Sequence, residues 1–373
     1  MMILGEDGKE LKTGYTTGSC ATAGALAAML LLTEQMDVPA IAITLPSGDA
    51  LQIPVEETRQ LSQSSAMARI IKDAGEDADV THGLDIIVTV TLDPANQMPP
   101  YEEVVIRGGK GVGTVTKTGL QIAPGEAAIN PVPRQMIGAH VRRYLPEGMV
   151  ATVTVSVPEG EKVAKKTFNP RLGIEGGISI IGTSGIVRPM SDDAYKATIH
   201  TELKQKRALG ETTVILVPGL HGEKYAQGLG YESRQVVHMG NFIGFSIQSA
   251  EKLGFEKMLL IGHSGKLMKV AGGIFNTHSR VADAKAEILI TELALMSAPL
   301  SLIEAVLMAN TTDEMSALLE ATVYFSAFQN LTEKAKAKVK NQLLEETQVD
   351  IVIYSMPGKI LGDTREKNGE TNL

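Results

Sequence analysis

The sequence is expected to fold as two domains. Residues 1–175 read as an α+β domain, and residues 176–373 as a Rossmann-like α/β domain with a mostly parallel sheet and C-terminal helices. Three observations carry this. A chain of 373 residues exceeds one typical hydrophobic core. The first half holds short segments in which apolar and polar residues alternate, as half-buried strands do. The second half alternates short apolar strands with helical segments, which implies parallel pairing through crossover helices.

In chain order, Gly14-Tyr15-Thr16-Thr17-Gly18-Ser19-Cys20 leads into the alanine-rich run Ala21–Ala28. Alanine and leucine lose little entropy in a helix, so a helix starts here, with Thr16, Thr17 or Ser19 as its cap. Strands at Ala40–Leu45 and Ala50–Val55 flank the turn formers Pro46-Ser47-Gly48-Asp49 and make a hairpin. Leu84–Leu92, Glu103–Arg107 and the strictly alternating Ala151–Val157 read as further strands. Gly177–Val187 is an apolar run that opens the second domain. Ser191-Asp192-Asp193 caps a helix reaching about Ala208. Strands follow at Thr213–Val217, Gln235–Met239 and Lys257–Ile261, with a helix from about Asn241 to Leu253 between the last two. Arg280–Leu344 is helical, Asp350–Tyr354 is a late strand, and a polar tail starting at Asp363 is expected to be mobile.

Bulk composition narrows the function. Net charge is −8 with no long basic block, which disfavours a general nucleic-acid or membrane-surface role. The absence of tryptophan and the scarcity of aromatics argue against base-stacking platforms. Cys20 is the only cysteine, so neither an intrachain disulfide nor a cysteine metal site is available. No apolar run reaches the roughly 18 residues needed to span a bilayer, and no leader is evident, so a cytoplasmic protein is expected.

The candidate chemistry lies in glycine-rich loops and a few cations. Gly182-Thr183-Ser184-Gly185, Pro218-Gly219-Leu220-His221-Gly222, Met239–Gly244 and Gly262-His263-Ser264-Gly265-Lys266 each follow an apolar strand. In open parallel sheets, ligands bind at the carboxyl ends of the strands. None of these loops matches a dinucleotide or phosphate-loop fingerprint. The glycine cluster Gly108–Gly113 reads either as a phosphate cradle or as a mobile hairpin tip. Prolines stiffen Ala128–Arg134 and Thr167–Gly173, so Arg134 and Arg171 are held in place, and arginine suits carboxylates. His263 and His278 flank Lys266, Lys269, Asn276, Thr277 and Ser279, the densest polar set in the chain. The acidic stretch around Asp73, Glu76, Asp77 and Asp79 reads as a solvated loop, a ribose contact or a proton acceptor. No spacing reads as a metal site.

These segments, in this order, resemble the cobalt-precorrin-5B C1-methyltransferases of anaerobic cobalamin biosynthesis, the CbiD family. The matching stretches are Gly14–Ala21, Lys72–Gly83, Gly111–Leu120, Gly125–Arg134, Thr167–Gly185, Asn241–Gly244 and Gly262–Ser279. Lys110 stands where the family has an acid, and Thr118, Ala127 and Ser264 stand where it has prolines. The resemblance implies methyl transfer from S-adenosylmethionine to C1 of a cobalt-corrin precursor, with cobalt present only as part of the substrate. The substrate's carboxylates would meet Thr16, Thr17, Gly18, Ser19, Lys117, Asn130, Arg134, Asn169 and Arg171, in a cleft between the domains. The cofactor would lie on the parallel sheet's loops, at Gly182, Thr183, Ser184, Gly185, Asn241, Gly262, Gly265, Lys266 and Thr277. His263, His278 and Asp73 are the candidate proton acceptors. The Arg280–Leu344 region could supply a homo-oligomer interface, and hand-over to other cobalamin-pathway enzymes is a further expectation.

Two rival functions stay open on the sequence. A small-molecule kinase could hold ATP phosphates on Thr17-Gly18-Ser19. A corrinoid carrier would bind the tetrapyrrole and no methyl donor.

Overall fold

A computed structural model describes residues 2–4, 10–95, 103–189 and 192–366. The chain divides into two compact units, Met1–Ser191 and Asp192–Leu373.

The first unit begins with strands β1 (Met2–Leu4), β2 (Glu10–Lys12) and β3 (Gly14–Tyr15), followed by helix α1 (Thr17–Glu34). The hairpin β4 (Ala40–Thr44) and β5 (Ala50–Pro54) leads to β6 (Glu57–Ser62), β7 (Ser65–Ile71), β8 (Asp85–Pro94) and β9 (Val104–Gly108). Strand β10 (Thr114–Val115), helix α2 (Pro131–Arg142), β11 (Met149–Ser156), α3 (Gly160–Ala164), β12 (Ile174–Glu175) and β13 (Ile186–Val187) complete it. The main sheet runs β6-β7-β8-β11-β9. It is antiparallel except where β9 lies parallel to β11. Isoleucine and valine alternate inward along β8 and β11 and form one core with α1 and α2. Helix α1 is buried from Thr17 to Leu30, so small residues must line its whole circumference.

The run Gly177–Val187 does not open the second unit. Ile178 bridges in parallel to Val112, Ile180 bridges to Ile129, and β13 pairs antiparallel with β3. Ile178 and Ile180 are buried in the first core, which carries the first unit past residue 175. The Gly108–Gly113 cluster is no mobile tip. Gly111 adopts φ +73° with its backbone against Val157, where any Cβ would collide with the Val157 carbonyl. The hairpin β6–β7 was not anticipated. Its first strand, Glu-Thr-Arg-Gln-Leu-Ser, is largely exposed and carries no apolar alternation.

The second unit contains α4 (Asp192–Ala208), β14 (Thr213–Val217), α5 (Leu220–Gly228), β15 (Val236–His238), α6 (Ile243–Lys252), β16 (Lys257–His263) and α7 (Ser264–Ala271). Helices α8 (Lys285–Leu295), α9 (Leu300–Met308), α10 (Thr312–Leu319) and α11 (Ala327–Lys340) precede β17 (Gln348–Tyr354) and β18 (Ile360–Asp363). The sheet order is β15-β14-β16-β17-β18. The first four strands are parallel and β18 is antiparallel. The order is the flavodoxin-like 2-1-3-4-5, which reverses between the first and third strands, here β14 and β16. Val214, Leu216, Val237 and Leu260 face a core built with α4, α6, α7 and α11, while Ile215, Val217, Val236 and Ile261 face α5. The Ser191 cap lies outside the described residues, as does the end of the tail from 367. At the tail's start the chain is packed rather than loose: Thr364 is buried and donates to Asp350, and Arg365 clasps Asp363.

Candidate functional site

In the first unit the α1 entry is tied to the segment 179–185. The Thr16 hydroxyl caps the helix by accepting from the Ser19 N–H at 3.2 Å. The Gly18 N–H donates to the Ile181 carbonyl at 2.9 Å, and the Thr16 N–H to the Gly185 carbonyl at 3.1 Å. The Ser19 hydroxyl donates to the same Gly185 carbonyl at 2.7 Å. The Thr17 hydroxyl accepts from the Ile181 N–H at 2.9 Å. Thr16, Thr17 and Ser19 are buried, so their polar atoms hold a loop rather than face a solvent-borne anion. ATP phosphates would not find the Gly18 N–H free, which removes the physical basis of the kinase reading.

Gly182, Thr183, Ser184 and Gly185 were expected on the parallel sheet and lie instead on this α1 entry. Gly182 adopts φ +141° against the Thr16 side chain, and Gly185 adopts φ +81° against Leu45 and Ser19. A side chain at either position would strike the helix entry. Thr183 and Ser184 form the exposed tip of the turn.

The cations and amides of the first unit divide between inward and outward roles. Arg134 is turned inward, with its guanidinium donating to the carbonyls of Ile129 (2.8 Å), Ile106 (3.3 Å) and Ala127 (3.4 Å). Asn169 is buried, donates to the Gly177 carbonyl at 3.1 Å and accepts from Ser179 at 3.3 Å. Asn130 caps α2 through its backbone alone, with Pro131 at the first helical position. Lys117 is exposed, its stem lying on Gly173. Arg171 is half-buried in the same turn.

Asp73 sits at a cavity of about 370 Å³ lined by Lys12, Tyr15, Lys72 and His82 among others. Its carboxylate accepts from Lys12 at 2.8 Å and from the Gly75 N–H at 2.7 Å. The Lys12 hydrogen bond, against a smaller opposing effect of burial, holds this carboxyl below the usual range, which makes it a weak proton acceptor. The acidic stretch is not simply solvated. Asp79 pairs at 2.8 Å with Lys72, whose side chain is 1% exposed.

In the second unit the loops after β14, β15, β16 and β17 share the carboxyl edge of the sheet. Gly219 precedes α5 with open space where a Cβ would stand. Gly262, the penultimate residue of β16, packs against Leu267 and Pro218, so the two segments flanking the strand-order reversal approach closely. His263 caps α7: its Nδ1 accepts from the Gly265 N–H at 3.1 Å. The proton therefore sits on Nε2, which donates to Asp313 at 3.1 Å. Asp313 in turn accepts from the Met356 N–H at 2.9 Å, in the loop after β17. Both ring nitrogens of His263 are engaged, so it positions this edge and offers no open lone pair for a proton.

Asn241 and Thr277 are brought together. The Thr277 N–H donates to the Asn241 carbonyl at 3.0 Å, and Phe242 bridges Asn276. Thr277 is 3% exposed, and its hydroxyl has no hydrogen-bond partner among the described residues. Lys266 lies in the first turn of α7, half-buried. Burial, and then the charge of Lys269, lower its amine below the ordinary lysine range. His278 is exposed, with Nδ1 accepting from the Arg280 N–H.

Sequence reasoning placed Lys269 in this polar set without a role, and overlooked Asp313, His238 and Glu223. Lys269 is buried and organises the following loop through the carbonyls of Ala282 (2.7 Å) and Thr277 (3.3 Å). Asp313 is distant in sequence from His263. His238 and Glu223 form a buried pair at 2.8 Å between β15 and α5. A histidine ending a buried strand was the available signal for that pair.

Comparison with known proteins places the chain. The CbiD family profile matches residues 4–189, and the profile of the CbiD C-terminal domain matches 276–365. A cobalt-precorrin-5B C(1)-methyltransferase of Listeria welshimeri is 43% identical over 364 residues, covering 96% of each chain. Its counterpart in Tolumonas auensis is 45% identical over 363 residues, covering 96% of this chain and 94% of that one. A crystal structure of the cobalamin biosynthesis protein cbiD from Archaeoglobus fulgidus covers 75% of this chain and 86% of its own, with 29% identity and a TM-score of 0.40. The chain belongs to the CbiD family.

Proposed function

We propose that the chain is a C-methyltransferase that methylates C1 of cobalt-precorrin-5B to give cobalt-precorrin-6A, with S-adenosylmethionine as the methyl donor. The observation that carries this reading is identity of 43–45% over nearly the whole of both chains to enzymes of that name. A cytoplasmic location belongs to the same reading; no described helix is long and apolar enough to cross a membrane.

The second unit fits the donor. Its parallel sheet supplies a strand-order reversal with glycines at the carboxyl edge, and the Thr277 hydroxyl there is buried without a hydrogen-bond partner among the described residues. Gly219, Asn241, Gly262, Gly265, Lys266 and Thr277 would hold it. When bound, the donor supplies an electrophilic methyl on a sulfonium sulfur. The protein's own task is then to hold two reactants in line and keep the field favourable. His263, fixed by Asp313 and the Gly265 N–H, sets the course of the loop between β16 and α7. Lys117 and Arg171 in the first unit suit carboxylate arms of the tetrapyrrole. The Thr16–Ser19 entry, Arg134 and Asn169 act one step back, by fixing segments 127–130 and 177–185.

The test is anaerobic incubation of the purified protein with cobalt-precorrin-5B and methyl-labelled S-adenosylmethionine. Label at C1 and release of S-adenosylhomocysteine are expected. Tight corrinoid binding with no transfer would favour the carrier reading instead.

A further inference from the structure

Helix α9 is apolar at every position except Ser301 and Glu304, yet it buries only Val306 completely. A helix that is apolar all round is ordinarily enclosed. Leu302 and Ile303 pack against the core of the second unit, while Leu300, Leu307 and Met308 stay in water, Met308 by 79%. The excess continues through the elements packed beside α9. Leu295 ends α8, Leu318 lies on α10, and Val323 follows α10 with 80% exposure. At roughly 100 Å² for a fully exposed aliphatic side chain, these six leave on the order of 400 Å² of apolar surface in water. Patches of that size on soluble chains are commonly functional. One side of a standard interface buries about 800 Å², of which homodimers make about two-thirds apolar. The patch supplies most of that apolar share.

Composition and shape both point to a second copy of the chain as the cover. No lysine, arginine or histidine stands between Lys285 and Lys334. Depletion of charge, lysine included, with methionine kept, is the composition of an interface core rather than of ordinary surface. The exposed carboxylates of Glu304 and Glu314 repel an anionic lipid surface. Between α9 and α10 lies a groove of about 480 Å³, lined by Ala305, Ala309 and Ala317 with Met308 and Leu318. Three alanines leave it room, and Met308 beside them is long, unbranched and mostly free of its own fold. A two-fold contact needs a knob and a hole on one patch, so that each copy fills the other. This face carries both. Its edge is polar: Glu314 accepts from the Asn310 N–H at 2.7 Å, and Glu320 from Lys359 at 2.6 Å.

We propose that the α9–α10 face is the interface of a two-fold homodimer, in which Met308 of each copy enters the groove of the other. The inference is independent of the methyltransferase reading. The face is nonetheless continuous with the candidate site, because α10 begins there. The Thr312 hydroxyl accepts from Ser264 at 2.7 Å, and Asp313 accepts from His263 at 3.1 Å. A second copy seated on α9 and α10 thus braces the helix that fixes the loop between β16 and α7.

Sedimentation velocity of the full-length protein over about 1 to 100 μM tests this by mass action. The set is wild type, Leu307→Glu, Met308→Glu, the double variant, and Leu344→Glu as a control. Leu344 is 93% exposed and belongs to the loop after α11. Wild type and Leu344→Glu sediment as a two-chain species. Each single variant in the patch raises the dissociation constant about a hundredfold, because a carboxylate enters an apolar contact that excludes water. The double variant is a monomer. Its circular dichroism matches wild type, since both side chains already stand in water in the single chain; this separates lost association from lost folding. A wild-type protein that is monomeric over the whole range overturns the proposal. So does a dimer that the double variant leaves intact, or one that Leu344→Glu weakens as much as Met308→Glu does.

Discussion

Lys72 is among the largest side chains buried completely in the described residues, at 1% exposure, and Asp79 is its counter-charge at 2.8 Å. Burial pushes the Asp79 carboxyl up, but the charge and hydrogen bond of Lys72 and two bonds from Thr81 outweigh it, so its pKa lies below the usual range. A carboxyl lowered in the folded state contributes stability that is present above its unfolded pKa of about 3.9, and that is lost as pH falls through the folded value. Asp79→Ala leaves the Lys72 ammonium buried and alone. The expected loss is about 3 kcal/mol, at the low end for a broken buried pair because Asp79 is itself 25% exposed. Urea melts at pH 7 measure it, and the difference from wild type should shrink below pH 4. A pH-independent loss would assign the effect to packing instead. Cys20 lies nearby and is inert as a nucleophile, since burial pushes its thiol up to about 12.

Helix α1 shows how an element can be legible while its contacts are not. The run of alanines announces a helix, and its burial on every side follows from side chains small enough to sit between two layers. The reason for Gly24 is tertiary: a Cβ there would come within 2.8 Å of the Val88 side chain, which is stiff, β-branched and buried on β8. Gly24→Ala therefore trades a helix-propensity gain of up to about 1 kcal/mol against overpacking of about 1–3 kcal/mol. A net destabilisation of about 1 kcal/mol is expected by denaturant titration; a net gain would mean that β8 yields. Strands β8 and β11 were readable because burial alternates along β8 and from Ala151 onward along β11. Strand β6, with exposure along most of its length, offers no such signal, and the two-residue strands β12 and β13 are shorter than any period can reveal. Segment 177–187 has the apolar content of a second-domain strand. Only its bridges to Val112 and Ile129 and its pairing with Tyr15 assign it to the first core.

At the scale of the molecule, the two compact units carry different parts of the candidate chemistry. The loops with glycines at the carboxyl edge were readable, because a strand followed by a glycine turn is a local pattern. The role of Thr16–Ser19 was not, because their partners lie at 179–185, far along the chain. That difference bears on where the methyl donor binds. With Gly182–Gly185 locked onto α1, the proposed donor contacts reduce to the second unit, at 219–222, 240–244, 262–266 and 275–278. Saturating S-adenosylhomocysteine at one hundred times its Kd adds about 2.7 kcal/mol to any opening that must release it, and slows exchange of the affected amides roughly a hundredfold. Hydrogen exchange on the full-length protein should show that slowing in those four loops, with the amides of Gly18 and of 179–185 unchanged. Their bonds are internal to the first unit and gain nothing from a ligand held elsewhere. Slowing confined to 14–19 and 179–185 would move the donor to the α1 entry and would require the Gly18 N–H to exchange its Ile181 partner for the ligand.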